Sequence, residues 1–177
     1  GACWCWGWED FCRQVAGISD AVSGYAGGVS DNPPYRQVCG GDTYHAEVVE
    51  VTFDPAKVAY ASLVQLFFRM HNPTQKDRQG PDFGTQYRSV IFTHGPEQAR
   101  IAAEEMAKVE TSGTWKKPVV TQFEPSTTFW KAEESPKHYF QKHTGPSPLN
   151  FDTLQTDDAT YLLSVPPPYP TPHRHSA

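Results

Sequence analysis

The sequence predicts one domain of mixed α/β (α+β) class followed by a proline-rich tail. Stretches with helical apolar spacing alternate along the chain with stretches of strand type, which is typical of this class. The 177 residues are enough for one domain with one core. Seven of the 16 prolines follow Gly145, where they favour extended chain. We therefore expect a domain at 1–144 and an irregular tail, wrapping or partly disordered, at 145–177.

Apolar residues repeated at helical spacing predict three helices. The first helix is expected to start near Trp4 and to end at Gly17. The second and third lie around residues 63–70 and 99–109. The three apolar stripes consist of Trp8, Phe11, Cys12 and Val15; Leu63, Leu66, Phe67 and Met70; and Ala99, Ala102, Met106 and Val109.

Four strands are predicted between these helices, at 18–25, 49–53, 87–93 and 119–123. In the second, apolar side chains alternate with Glu50 and Thr52, as in a half-buried strand. The remaining connections at 26–46 and 72–86 are long. Loops of more than about 12 residues inside a compact domain are usually functional, so we expect the chemistry there.

Charge and hydropathy exclude two classes of function. The net charge of −5 and the absence of a basic cluster argue against nucleic-acid binding. No run approaches the roughly 18 apolar residues of a membrane span, and no leader peptide is visible, although an opening inside a motif at Gly1 suggests a trimmed upstream segment. The four cysteines all lie within the first 39 residues, too few for a disulfide scaffold. We expect a protein of the reducing cytoplasm.

The N-terminal thiols are candidates for nucleophilic chemistry. Cys3 and Cys5 lie where the first helix begins, and a helix N-terminus favours the thiolate. Trp4 beside them could form an apolar wall around a methyl or thioether group. Cys5 also shares the apolar stripe, so a core position and a reactive one both stay open for it, whereas Cys12 is interpreted as a core residue.

Glu47 precedes an alternating strand, and two interpretations are open. If its side chain points inward among aromatic rings, desolvation would raise its pKa and make it an acid near neutral pH; otherwise it is an ordinary exposed glutamate. His45 and His71 are interpreted as structural hydrogen-bonding residues, and the sequence contains no metal-ligand spacing. The loop at 80–88 collects an acid, an amide, a phenol and a guanidinium.

Several ordered motifs together resemble the A-type methionine sulfoxide reductases, the peptide-methionine (S)-S-oxide reductases, which reverse methionine oxidation. The resemblance covers about residues 1–143. It rests on WG at 6–7 with Glu9, GYAGG at 24–28, NPPYRQVC at 32–39, GDTYHAEVV at 41–49, FDP at 53–55, HNP at 71–73 and DFGTQYRS at 82–89.

The resemblance implies a single-domain two-layer sandwich around a mixed β-sheet, with a cysteine nucleophile at a helix start and no cofactor. By motif, the acidic glutamate is Glu47, the two tyrosines are Tyr35 and Tyr87, and a supporting aspartate is Asp82. Trp6 matches the aromatic wall that receives the substrate methyl group. The expected substrate-binding residues are Trp4, Trp6, Tyr35 and His45.

The N-terminal motif departs from the family pattern Gly-Cys-Phe-Trp-Gly. Counting back from Trp6, the cysteine position holds Trp4, the phenylalanine position holds Cys5, and Cys3 lies one residue early. Three alternatives are open: a one-residue insertion brings Cys3 into place, Cys5 substitutes for it, or the site is inactive. The approach GAC at 1–3 resembles some relatives and slightly favours Cys3.

Three further departures are visible. Tyr44 stands where a glycine is usual, which predicts a narrower pocket near Glu47. The usual histidine-glutamine pair is replaced by proline and lysine at 136–137. The C-terminal resolving cysteines are absent, and Cys39 matches a family position that is not the nucleophile.

The expected activity is thiol-dependent reduction of methionine-S-sulfoxide, in peptides or as the free amino acid, through a cysteine sulfenic acid. Such repair of oxidised protein needs an external reductant: a thioredoxin, a glutaredoxin or a small thiol. No metal is required, and a monomer is expected. The alternative is a catalytically silent homologue that binds oxidised methionine or acts as an interaction module.

Overall fold

The structure is a computed structural model that describes residues 5–133, with side chains from Trp8 onward. The predicted tail at 145–177 lies outside the described residues. In chain order the elements are α1 Cys5–Cys12, β1 Ile18–Ala26, α2 Tyr35–Gly40, β2 Ala46–Phe53, α3 Tyr60–Met70, β3 Arg78–Gln79, β4 Asp82–Phe83, a 3₁₀ turn Thr85–Tyr87, β5 Val90–Thr93, α4 Pro96–Thr111, β6 Gln122–Pro125 and β7 Trp130–Lys131.

The three predicted helices are present as α1, α3 and α4. Helix α1 ends at Cys12 rather than at Gly17. A further short helix, α2, lies inside the segment that was expected to be a loop. It follows Pro34, whose extended backbone (φ −70°, ψ 151°) precedes the first turn, and Gly41 closes it in the left-handed conformation at φ 82°. This helix has six residues, of which only Val38 is buried, so the sequence shows no apolar stripe that would predict it.

The predicted strands correspond to β1, β2, β5 and β6, with shifted ends. Strand β2 starts earlier, at Ala46, and β5 starts later, at Val90, because the preceding residues form the 3₁₀ turn. Strand β6 begins at Gln122, a few residues beyond the predicted start. The two-residue strands β3, β4 and β7 were not predicted, since two residues show no alternation.

Within the described residues the strands form three small sheets, and the fold is mixed α/β as predicted. Strand β1 lies between β2 and β7 in an antiparallel sheet; β3 pairs with β4; and β5 runs parallel to β6. In the first sheet Tyr25 of β1 is directly opposite Glu47 on one side and Trp130 on the other. Residues opposite each other share a face of the sheet.

The two faces of the antiparallel sheet bury different residues. On one face Ala46 and Val48 pack with Ala26 and with Val90 of β5. On the other face Tyr25 packs with Val38 of α2 and with Ala132. Helix α2 therefore covers the face that carries Glu47.

A separate apolar cluster joins the second half of the domain. Val64 and Phe68 of α3 pack with Ala102 of α4, and Ile91 and Phe123 from the parallel strands complete the cluster. Burying a side chain such as Phe68 contributes roughly 1.5–3 kcal/mol to folding. Among residues 5–133, none of the helices is long and apolar enough to cross a membrane.

Candidate active site

Glu47 is the second residue of β2, and its side chain is half-buried on the face covered by α2. Burial, and after it the negative charge of Asp82, raises the pKa of this carboxyl group to about 7. Of the two open interpretations, the structure favours the inward-pointing one. At neutral pH a substantial fraction of Glu47 is therefore protonated and able to donate a proton.

Asp82 reaches Glu47 from a different part of the chain. It lies in β4, where it pairs with Gln79 of β3, so a two-stranded hairpin fixes its backbone. Its charge acts on Glu47, which shows that the two carboxyl groups share one site. Two neighbouring carboxyl groups resist being ionised together, and here the buried one retains its proton.

Tyr35 and Cys39 lie one helical turn apart on α2, on the same side of the helix. The Tyr35 hydroxyl hydrogen-bonds to the Cys39 sulfur, and this bond together with burial raises the pKa of Tyr35. Burial also raises the pKa of the Cys39 thiol, although hydrogen bonds from Tyr35 and Tyr87 act in the opposite direction. Near neutral pH Cys39 is thus a protonated thiol held between two phenols.

Tyr87 is placed by the 3₁₀ turn and by its neighbour Gln86. The Gln86 side-chain amide donates to the Cys39 carbonyl oxygen at 3.0 Å, which fixes the turn against α2. Gly84 has φ 142°, a backbone conformation that favours glycine, and a side chain there would also meet the Gln86 side-chain amide. Arg88, after the turn, donates to the Tyr44 carbonyl oxygen at 3.1 Å.

The structure therefore brings together four of the predicted catalytic residues, namely Glu47, Asp82, Tyr35 and Tyr87. Charge effects or hydrogen bonds link Glu47 with Asp82, and Tyr35 and Tyr87 with Cys39. This arrangement offers a neutral carboxylic acid and two phenolic donors to an oxygen atom. Cys39 was set aside at the sequence level because it is not a nucleophile position, yet it lies between both phenols.

His45, for which a substrate-binding role was predicted, is bonded to the backbone in this structure. It is 2% exposed, and its Nδ1 accepts the Gly28 backbone N–H at 3.1 Å while Nε2 donates to the Ser30 carbonyl oxygen at 2.8 Å. Both ring nitrogens are used by the backbone, so no donor is left for a ligand. These bonds agree with the interpretation of His45 as a structural hydrogen-bonding residue, and its substrate contact stays a prediction.

His71 is likewise structural, as interpreted. Its Nδ1 lies 2.7 Å from the Phe67 carbonyl oxygen and its Nε2 lies 2.7 Å from the Ser89 hydroxyl, which in turn bonds to the Thr121 hydroxyl at 2.8 Å. Full burial lowers the pKa of His71 to about 3. The ring is neutral at any ordinary pH and joins α3 to β5.

Tyr44 does not narrow the pocket, contrary to the prediction. Its side chain is 60% exposed and its backbone is left-handed at φ 57°. A glycine would adopt this conformation without strain, which explains why the position suits glycine. The replacement puts most of the ring into solvent.

The N-terminal thiols are only partly within the described residues. Helix α1 begins at Cys5, which agrees with a helix start close to the thiols. Cys3 and Trp4 lie outside the described residues, as do the side chains of Cys5 and Trp6. Their assignment to the nucleophile and to the apolar wall therefore stays a prediction.

The next residues of α1 are tied to the sheet. Cys12 is 1% exposed, and burial raises the pKa of its thiol to about 12, as expected of a core residue. The buried Glu9 carboxylate accepts the Ser23 backbone N–H at 2.8 Å and pairs with Arg13 at 2.8 Å. These bonds anchor α1 beside the strand that carries Tyr25.

An apolar cavity of about 210 Å³ lies elsewhere in the described part of the fold. Its lining includes Trp8, Val64, Phe67 and Phe92, and none of Tyr35, Glu47, Asp82 or Tyr87. Among the described residues no group of three His, Cys, Asp or Glu side chains could hold a metal ion. The candidate active site is therefore the polar cluster, which consists of Glu47, Asp82, Tyr35, Tyr87 and Cys39.

Known proteins similar to this chain agree on one family. A family model described as peptide methionine sulfoxide reductase matches residues 1–160. A protein of Methanoculleus marisnigri described as peptide methionine sulfoxide reductase MsrA is 49% identical over 140 residues, 79% of this chain and 85% of that protein.

Solved structures give the same result. The crystal structure of Mxr1 from Saccharomyces cerevisiae in reduced form matches with a TM-score of 0.73 at 35% identity, covering 83% of this chain and 86% of that one. The structure of Mxr1 in complex with Trx2 matches with a TM-score of 0.52 at 26% identity, covering 80% and 78%.

Proposed function

This chain belongs to the peptide methionine sulfoxide reductases and is an oxidoreductase, and from that premise we propose that it reduces methionine-S-sulfoxide by a thiol-dependent route. The substrate is oxidised methionine in peptides or as the free amino acid, so the protein repairs oxidative damage. One observation carries the proposal: the Glu47 carboxyl group, with a pKa of about 7, shares a site with two phenols.

The polar cluster activates the sulfoxide oxygen. Tyr35 and Tyr87 donate hydrogen bonds to that oxygen, and Glu47 delivers a proton to it as negative charge develops. Asp82 contributes by keeping Glu47 protonated near neutral pH. Trp6 and Trp4 surround the substrate methyl group.

The thiol step transfers the oxygen to a cysteine. The thiolate of Cys3 or Cys5 attacks the sulfoxide sulfur and forms a sulfur–sulfur bond, while Glu47 protonates the oxygen. The oxygen then passes to the cysteine sulfur: a cysteine sulfur–oxygen bond forms, the substrate sulfur–oxygen bond and the sulfur–sulfur bond break, and a sulfenic acid remains on the cysteine. The methionine sulfur is reduced by two electrons and the cysteine sulfur is oxidised by two. The methionine leaves as its thioether. A thiol then condenses with the sulfenic acid, which forms a disulfide and water, and a second thiol reduces that disulfide.

The reducing thiols come from outside the chain. Cys3 and Cys5 are separated by one residue, and a disulfide across so short a loop would be strained. The solved complex of Mxr1 with Trx2 supports a thioredoxin as reductant, with a glutaredoxin or a small thiol as the other choices. We place the reaction in the reducing cytoplasm and expect a monomer to carry it out. A catalytically silent homologue is not favoured, because Tyr35, Glu47, Asp82 and Tyr87 are all present together.

The proposal is tested by incubating the protein with each epimer of methionine sulfoxide and dithiothreitol. The S-epimer should be consumed, while the R-epimer serves as the matched control, because each epimer has its own enzyme. Cys3→Ser and Cys5→Ser variants identify the nucleophile, since the essential one should lose turnover. If the wild-type protein leaves the S-epimer intact, the proposal is wrong.

A further inference from the structure

Tyr25 is a buried phenol next to the proposed active site that the reaction described so far does not use. It is 2% exposed, and its hydroxyl oxygen is buried with no hydrogen-bond partner among the residues that the structure describes. Buried hydroxyl groups are nearly always paired. An unpaired one beside a reactive carboxyl group therefore calls for a functional explanation.

The sheet register places Tyr25 beside the acid. Tyr25 and Glu47 are direct partners across β1 and β2, so their side chains stand next to each other on one face. The groups whose charges act on the Tyr25 hydroxyl are Glu47 first, then Cys39 and Tyr35, and last Glu133. Three of these four groups belong to the polar cluster.

The Tyr25 ring is held in place. Val38 of α2 and Ala132 pack against it, with Trp130 also part of the cluster. Burial and the neighbouring negative charges raise the pKa of the Tyr25 hydroxyl, which therefore stays protonated and can only gain by donating its proton to an acceptor.

The acceptor must come from the protein. Because the Tyr25 hydroxyl is buried, the acceptors next to it are protein groups. Cys39 is a neutral thiol already bonded to Tyr35 and Tyr87. The remaining neighbour in the polar cluster, Glu47, becomes a carboxylate when it gives its proton to the substrate oxygen.

We propose that Tyr25 is a positioning residue whose free hydroxyl donates a hydrogen bond to the Glu47 carboxylate formed during turnover. The inference rests on the proposed function in one respect, that Glu47 loses its proton during turnover. The hydrogen bond from Tyr25 to the Glu47 carboxylate does not require a bound substrate. The other groups at this site act as follows: Asp82 of β4 opposes the ionisation of Glu47, Tyr35 and Tyr87 each bond to the Cys39 sulfur, and Glu133 acts on the Tyr25 hydroxyl more weakly than Glu47 does. From α1, Glu9 is engaged by Ser23 and Arg13.

The test compares Tyr25→Phe with Tyr60→Phe. Each substitution removes one buried phenol oxygen that has no partner among the described residues and keeps the ring, so neither should prevent folding. Tyr60 packs with the apolar cluster of α3 and α4 and stacks on Phe53, away from the polar cluster. The pKa of Glu47 is measured in the substrate-free proteins by carbon NMR of the carboxyl group.

We expect Tyr25→Phe to raise the Glu47 pKa by about one unit, because a donor to the charged form is lost, while Tyr60→Phe leaves it unchanged. In kinetics, Tyr25→Phe should lower kcat by about tenfold, shift the alkaline limb of the pH profile upward and leave KM unaltered. An unshifted Glu47 pKa in Tyr25→Phe would overturn the inference. Absence of S-sulfoxide reduction by the wild-type protein would instead overturn the proposed function, with the pKa comparison still decisive for Tyr25.

Discussion

Two groups of buried polar side chains lie in this fold, and they are satisfied to different degrees. In the first, His71, Ser89 and Thr121 form a chain of hydrogen bonds that ends on a backbone carbonyl oxygen. In the second, Glu47 retains a proton near neutral pH and Tyr25 has an unpaired hydroxyl within the described residues.

The difference shows what each group is for. A fully paired network stabilises one arrangement and gains nothing from chemistry. In the second group, the charged form of Glu47 is unfavourable and the Tyr25 hydroxyl is an unused hydrogen-bond donor. Both gain partners only when Glu47 loses its proton, and such an arrangement is typical of a catalytic site. Between these two groups, the degree of pairing rather than burial alone separates the structural polar residues from the reactive ones.

Removing the acid should give the largest effect. Glu47→Gln keeps the size of the side chain and eliminates its proton, so kcat/KM for the S-sulfoxide should fall by about 10²–10⁴-fold, the range for a lost general acid. The matched control is Glu50→Gln, since Glu50 lies on the same strand but is exposed. Steady-state kinetics on both variants check the prediction, and equal rates in the two would contradict it.

Breaking the paired network should affect stability and not chemistry. His71→Ala removes a fully buried ring and leaves the Phe67 carbonyl oxygen without its partner, so the free energy of unfolding should drop by about 3 kcal/mol. The turnover of the folded fraction should stay at the wild-type value. Urea unfolding measures the first quantity, with the exposed His94→Ala as a control within about 0.5 kcal/mol of wild type. A large loss of turnover in fully folded His71→Ala would place His71 in the reaction.

The raised pKa of Glu47 should also be visible in the pH dependence of stability. A carboxyl group with a folded pKa of about 7 and an ordinary value of 4.5 binds more protons in the folded state between these pH values. Its stabilising contribution is full below pH 4.5 and is lost as pH rises through 7. We expect a loss of about 3 kcal/mol across this window, absent in Glu47→Gln. Parallel pH curves for the two proteins, measured by urea unfolding, would refute the raised pKa.

The sequence predicted the regular elements well where they are long enough to show a period. Helices α3 and α4 show their apolar stripes over several turns, and strand β2 shows its alternation over several residues. Helix α2 and strand β7 are short and take their stability from packing against the sheet, which a local pattern cannot reveal. The extra helix matters because it carries Tyr35.

The sequence predicted which residues form the candidate site but not the raised pKa of Glu47. The motifs selected Glu47 and Asp82, yet the raised pKa depends on how closely two distant segments approach and how deeply one is buried. Tyr25 left a weaker signal. Its place opposite Glu47 follows from the pairing of β1 with β2. That pairing could not be predicted because the alternating pattern placed the start of β2 at residue 49, whereas the strand begins at Ala46.

The hydrogen bond from the Gln86 side-chain amide to the Cys39 carbonyl oxygen has a mechanical consequence. It couples the segment bearing Tyr87 to the segment bearing Tyr35 through the main chain, independently of the side chain at position 39. This link runs through the main chain and adds to the hydrogen bonds that both phenols make to the Cys39 sulfur. A change of the side chain at position 39 therefore leaves one connection between the two phenol-bearing segments in place.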